Sequence, residues 1–248
     1  MKRVWWLTLA VLPALVFSGS AMASATTSAT TTATATPTWQ TIGWWRMNET
    51  SGSQLVDSSG YALNGLIGGA VQLNGRYHSL VMSGYIERSD EEAVDIVANS
   101  EQLNPRNDDF SVTAQIWWDP RRNRNIVQKG QGSPAGGMFK MKSSVRSWEP
   151  LGGVKCLFRG SRGDSTVNSY SIPSLADQRW HTVTCLRTDA GTEMRVDGVT
   201  VDQNPRQPGW ISNNWPLAIG GNTYCEGGEN LCNFWVGRIG FVRVERVF

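Results

Sequence analysis

Histidine is scarce in this chain of 248 residues; only His78 and His181 occur. No Gly-x-Ser-x-Gly run is present, so a serine hydrolase of the nucleophile-elbow type lacks its signature. No Cys-x-x-Cys pair occurs either, which removes the usual spacing of a structural zinc site. Helical periodicity is almost absent. The best helical stretch, "DEEAVDIVANSE" at residues 90–101, is short and carries no sustained apolar stripe. Charge of one sign is lacking too. The formal net charge of +2 falls to zero once Lys2 and Arg3 are set aside, so nothing calls for a nucleic acid or another anionic polymer as partner.

Long apolar runs are confined to the start. Lys2 and Arg3 precede an apolar stretch from Val4 to Phe17 and a small-residue end, Ala21-Met22-Ala23. This pattern predicts a secretory signal peptide over residues 1–23; an uncleaved membrane anchor is the rival, disfavoured by the short run. Residues 24–38 are nearly all Ala and Thr, a composition that predicts a disordered spacer and offers threonines for O-glycosylation. The remaining segment, residues 39–248, has the length of one large β-domain. After the leader no segment reads as a transmembrane helix, and a secreted, extracellular location is expected. The basic run Arg121, Arg122 and Arg124 sits among turn residues and reads as a solvated loop.

Strand signals fill residues 39–248. In "FSVTAQIWW", residues 110–118, Phe110, Val112, Ala114, Ile116 and Trp118 share one face, and Trp117 falls on the other. "WHTVTCLR" is β-branched and aromatic. Asp197-Gly198 between two extended pieces predicts a hairpin. In the last stretch, Val242, Val244 and Val247 cannot share one alternating face, which predicts a bulge or strand end near Arg246. Many short strands with such turns predict an all-β, two-sheet antiparallel jelly-roll sandwich. Four cysteines in an exported chain point to disulfides. Cys156 and Cys185 lie in strand-like runs, so a bridge between neighbouring strands is the preferred pairing; Cys225 and Cys232 would close the loop "EGGENL". Four cysteines allow three connectivities.

Several stretches together resemble one family. "GWWRMNETSGSQLVDSSGYALNGLIGG", "VDIVANSEQLNPRNDDFSVTAQIWW", "IVQKG", "RWHTVTCLRTDAGTEMRVDGVTV" and "LAIGGN…FWVGRIGFVRV" are similar, in order, to the strands of bacterial laminin-G-like, concanavalin-A-like jelly rolls. The resemblance implies a sandwich with a concave face and loops at its rim. It places Trp45 and Met47 inward and gives Trp180 and His181 a structural role. Asp57 matches a loop acid that often binds calcium in such folds, with Asn48, Glu49 and Asn64 as further oxygen donors. Where the family often has another acid, this chain has Gly240, which weakens the ligand set. Asp57 could instead cap its own Ser-Ser-Gly turn.

The fold hosts lectins, glycosidases and adhesion modules alike. The Glu-x-Asp-x-x-Glu spacing of related glucanases is missing, and the acidic cluster Glu87, Asp90, Glu91, Glu92 and Asp95 reads as a solvated face, so no catalytic residue is assigned. Tryptophan is plentiful, with 12 in the chain, and indoles stack on the apolar faces of sugars. Trp45, Trp118 and Trp180 are expected in the core. Trp148, and Trp210 and Trp215 in "PGWISNNWP", are expected at the surface. The second cluster, with Asn213, Asn214 and Arg206, is the candidate binding loop. The leading reading is a secreted, non-catalytic module that binds a glycan or cell-surface polymer; an adhesive module with a protein partner is the alternative.

Overall fold

In the computed structural model the described residues are 38–79, 94–118, 124–132, 136–144, 152–223 and 232–248, all belonging to the compact unit Pro37–Phe248. The leader, the tract through residue 37, the acids from Glu87 to Glu92, Trp148 and Cys225 lie outside them. In chain order the strands are β1 (Trp39–Trp45), β2 (Gln54–Leu55), β3 (Gly65–Leu66), β4 (Gln72–Leu73), β5 (His78–Ser79), β6 (Asp95–Val97), β7 (Phe110–Trp118) and β8 (Asn125–Gly130). There follow β9 (Met138–Ser144), β10 (Gly153–Gly160), β11 (Gly163–Asn168), β12 (Trp180–Thr188), β13 (Gly191–Val196), β14 (Val199–Asn204), β15 (Leu217–Ile219) and β16 (Gly237–Val247). A single 3-10 turn, Glu101–Leu103, is the one helical element among the described residues. No helix among them is long and apolar enough to cross a membrane.

The strands form two antiparallel sheets of eight. The first runs β14-β13-β12-β7-β16-β5-β4, with β1 also pairing with β16; the second runs β11-β10-β9-β8-β15-β6-β3-β2. Alternation on β7 does what its sequence dictates: Phe110, Val112, Ala114, Ile116 and Trp118 are buried against the second sheet. Phe110 meets Phe139 of β9 with ring centroids 5.0 Å apart, and Trp118 meets Trp235 at 5.7 Å. Trp45 and Met47 are fully buried, as the resemblance implies. The Asp197-Gly198 hairpin forms between β13 and β14, both residues at positive φ (50° and 83°), the geometry a tight two-residue turn requires.

Several expectations are corrected. Cys156 and Cys185 are joined, with Cα atoms 5.7 Å apart, but their strands are not neighbours. Cys156 sits on β10 of the second sheet and Cys185 on β12 of the first, both facing the core, so the bridge ties the two layers together. Cys232 is also disulfide-bonded. β16 does end at Val247, one residue past Arg246, but its register against β7 also shifts earlier, between Ile239 and Phe241, at Gly240. Past it Val242, Val244 and Arg246 all point inward, and Val247 is half-exposed. The charge of Arg246 is met by Asp108. The segment of best helical pattern contains β6. Asp95 on that strand is buried, not solvated. Trp180, expected in the core, is 37% exposed.

Candidate functional site

The candidate calcium residues sit around one turn, where their oxygens serve the chain itself. Asp57 Oδ1 accepts hydrogen bonds from the backbone N–H of Trp44 (2.8 Å) and Ser59 (2.9 Å). Its Oδ2 accepts from Ser59 Oγ (2.7 Å) and the Leu63 N–H (2.9 Å). This is a carboxylate capping its own turn. Asn64 Oδ1 accepts from the Asp57 N–H (2.8 Å), and Asn48 is exposed. Glu49 accepts from the Val56 N–H (2.9 Å) and pairs with His78 Nε2 at 2.9 Å. Among the described residues no three His, Cys, Asp or Glu side chains gather as a metal site.

His78 is buried with a carboxylate on each ring nitrogen, the second being Asp95 at 2.7 Å from Nδ1. Burial alone would lower its pKa, but the hydrogen bonds to Asp95 and Glu49 raise it to about 9. Glu49 is held below its usual range, despite burial, by the His78 hydrogen bond. The other histidine also finds acids that sequence reasoning did not place. His181 Nδ1 meets Asp197 at 2.8 Å and Nε2 meets Asp177 at 3.1 Å, which fastens the β13–β14 hairpin turn to the start of β12.

The candidate loop divides into two parts. Trp210 is 47% exposed, with the Arg106 guanidinium 5.9 Å from its ring centre; Asn214 and Arg206 are exposed as well. Trp215 is half-buried. Asn213, by contrast, is buried and bonded on all sides. Its Nδ2 donates to the Gly137 carbonyl (3.0 Å), its N–H donates to Asn104 Oδ1 (3.2 Å), and its carbonyl accepts from Lys129 Nζ (2.9 Å). It is part of the scaffold under the loop.

A groove lies elsewhere on the surface. On the outer face of the first sheet, a groove of about 440 Å³ crosses β1, β7, β12, β13 and β16. Strict alternation brings Ser111 and Thr113 from β7, and Thr184, Leu186 and Thr188 from β12, to its floor, four hydroxyl residues around one leucine. Thr113 Oγ1 and Thr184 Oγ1 are hydrogen-bonded at 3.0 Å. Glu245 receives Ser111 Oγ at 3.3 Å and Arg243 Nη2 at 3.3 Å. Arg195 at the far wall is paired with Glu193 at 2.6 Å. Trp39, 43% exposed, lines the groove from β1. Asp109 also lines it; burial, together with Asp189, raises its carboxyl above the ordinary range.

Farther along the same face the lining turns aromatic. Trp117 of β7 lies opposite Trp180 of β12 on one side and Arg238 of β16 on the other. The Arg238 guanidinium stands 4.5 Å from the Trp117 ring centre and 4.9 Å from that of Tyr77. Tyr77 and Trp180 rings are 5.5 Å apart. Trp44, half-buried on β1, carries Arg46 over its ring at 4.1 Å.

No protein-family model matches the chain, and no curated protein matches its sequence. Among solved structures, the binding domain of Paraclostridial Mosquitocidal Protein 1 is similar at 13% identity and TM-score 0.57, over 84% of this chain and 48% of that one. The binding domain of Botulinum Neurotoxin DC, solved in complex with SialylT, is similar at 15% identity and TM-score 0.53, over 84% and 48%. Trypanosoma rangeli sialidase in complex with sialic acid is similar at 12% identity and TM-score 0.52, over 82% and 30%. The chain thus spans about half the length of the toxin binding domains and less than a third of the sialidase. Likeness at these identities concerns architecture alone, and it agrees with the strand pairing: the chain is a two-sheet antiparallel β-sandwich of jelly-roll type.

Proposed function

We propose that this chain is an exported, non-catalytic glycan-binding module whose ligand lies in the groove on the outer face of the first sheet. The observation that carries this reading is the half-exposed indole of Trp39 beside a floor of serine and threonine hydroxyls. An indole supplies a flat apolar surface for the C–H face of a sugar, and short hydroxyls supply donors and acceptors that fix its orientation. The sheet holds these groups in place before the ligand arrives, which limits the ordering cost of binding. The core disulfide accords with an oxidising compartment, and toxin binding domains of the same architecture, one of them solved in complex with SialylT, support the choice of ligand class.

The test is a glycan array, run with and without calcium, on the wild type and on Trp39→Ala. A glycan signal that falls at least tenfold in Trp39→Ala, with an unchanged thermal transition, supports the groove. A signal that instead follows Trp210→Ala moves the site to the 206–215 loop. No glycan signal at all, with capture of a surface protein, turns the reading into the adhesive one. A second reading, glycoside hydrolysis, draws on two carboxylates in the groove: Asp109, whose carboxyl burial raises above the ordinary range, and Glu245, which accepts from Arg243 Nη2 at 3.3 Å. Release of reducing ends from a polysaccharide, abolished in Asp109→Asn, would establish it.

A further inference from the structure

We propose that the aromatic end of this face, where Arg238 is clasped between Tyr77 and Trp117 with Trp180 alongside, is a subsite for a carboxylate-bearing sugar. The sugar is a uronic or sialic acid unit of a chain whose neutral units lie in the hydroxyl-lined groove. The inference rests on the glycan-binding reading of that groove and names the chemistry of its ligand.

Charge is distributed unevenly along the face. In the groove each arginine is answered: Arg243 by Glu245 at 3.3 Å and Arg195 by Glu193 at 2.6 Å. At the aromatic end Arg238 has no carboxylate partner among the described residues; its contacts are two ring faces. Arg46, over Trp44, is held the same way. A guanidinium stacked between rings is held in orientation while its N–H donors stay at the edge of the stack. That fork matches a carboxylate in two parallel hydrogen bonds.

Cross-strand register sets Trp180, Trp117 and Arg238 in one row across β12, β7 and β16. Thr113 of the groove and Trp117 of the row share a face of β7, four residues apart, which is about 13 Å at the usual rise of a strand. The two regions are therefore parts of one continuous surface. Trp180, 37% exposed, adds an indole against which the ring bearing the acid can lie.

The test compares charge-matched probes by titration of tryptophan fluorescence and by calorimetry: sialyllactose against lactose, and oligogalacturonate against its methyl ester. One acidic probe is expected to bind on the order of tenfold tighter than its neutral counterpart, the size of a charge-assisted hydrogen-bond pair. Which acid wins separates a sialic from a uronic unit. The preference should shrink when salt is raised from 0.05 to about 0.5 M, because an exposed ion pair is screened. Arg238→Gln should abolish it, and Arg238→Lys should restore only part, since an ammonium lacks the fork. Trp180→Ala should weaken the acidic probe while the thermal transition stays put. Equal affinities for acidic and neutral probes would overturn the subsite while leaving the groove reading intact. A preference that survives Arg238→Gln would do the same. Failure of every probe and of the array would sink both.

Discussion

Lys129 is a buried cation answered by amides rather than by an acid. Its Nζ donates to Asn99 Oδ1, Asn104 Oδ1 and the Asn213 carbonyl, each at 2.9 Å. These partners come from the 99–104 segment and the 213 loop, so one ammonium fastens both to β8. Lys129→Met is expected to cost about 3 kcal/mol in denaturant unfolding, because the stranded amides lose their donor. His78 works by charge. Its folded pKa of about 9 stands above the ordinary 6.5, so its contribution is complete below pH 6.5 and fades as pH rises toward 9. Lys129, lowered to about 8 by burial, has the opposite sign above that pH. The clean observable is therefore the difference in stability between wild type and His78→Gln, which should narrow steadily from pH 6.5 to 9. A pH-independent difference would show that His78 contributes by packing alone.

At the scale of elements, parity along a strand decides what a residue is for. On β12, Val183 and Cys185 face the core, so Trp180, an odd three residues from the first and five from the second, must face outward with Thr182 and Thr184. The outward position of Trp180 is legible in the period-two alternation of β12, against the structural role that the Trp-His resemblance implies. On β7 the same rule read directly sorts Trp118 inward and Trp117 outward. The contrast predicts different costs. Trp118→Ala should lose about 3–5 kcal/mol, whereas Trp180→Ala should lose under about 1 kcal/mol, as measured by chemical denaturation. Comparable losses would mean that Trp180 supports the fold. The disulfide partners were legible as strand residues, but not the fact that the strands belong to opposite layers, because pairing order in a sheet leaves no local trace in sequence.

At the scale of the whole molecule, the architecture was legible and the proposed binding surface was not. Alternation, the Asp197-Gly198 turn and the paucity of helical pattern all point to a sandwich. The groove is assembled from residues near 39, 111, 184, 195 and 243, on five strands. Apart from Trp39, the serines, threonines and arginines they contribute each read, alone, as ordinary solvent-facing positions. The tryptophans that stand out in sequence, Trp210 and Trp215, lie instead in the 206–215 loop. There the buried Asn213 is a brace, whose role depends on contacts with Gly137 and Asn104 that no local pattern encodes.

The pairing of the first strand with the last has a mechanical meaning. Trp39 stands opposite Val247, and the two strands run antiparallel from that point. Tension applied to both ends of the domain would load the ladder at its outermost rung, perpendicular to the strands, so rungs would break in turn rather than together. In single-molecule pulling, the first event should be a low-force peeling of β1 from β16, and the 29-residue span between Cys156 and Cys185 should stay shut until a reductant is added. A ligand held near Trp39, as proposed, would feel that opening first, so traction would release it before the sandwich itself gives way.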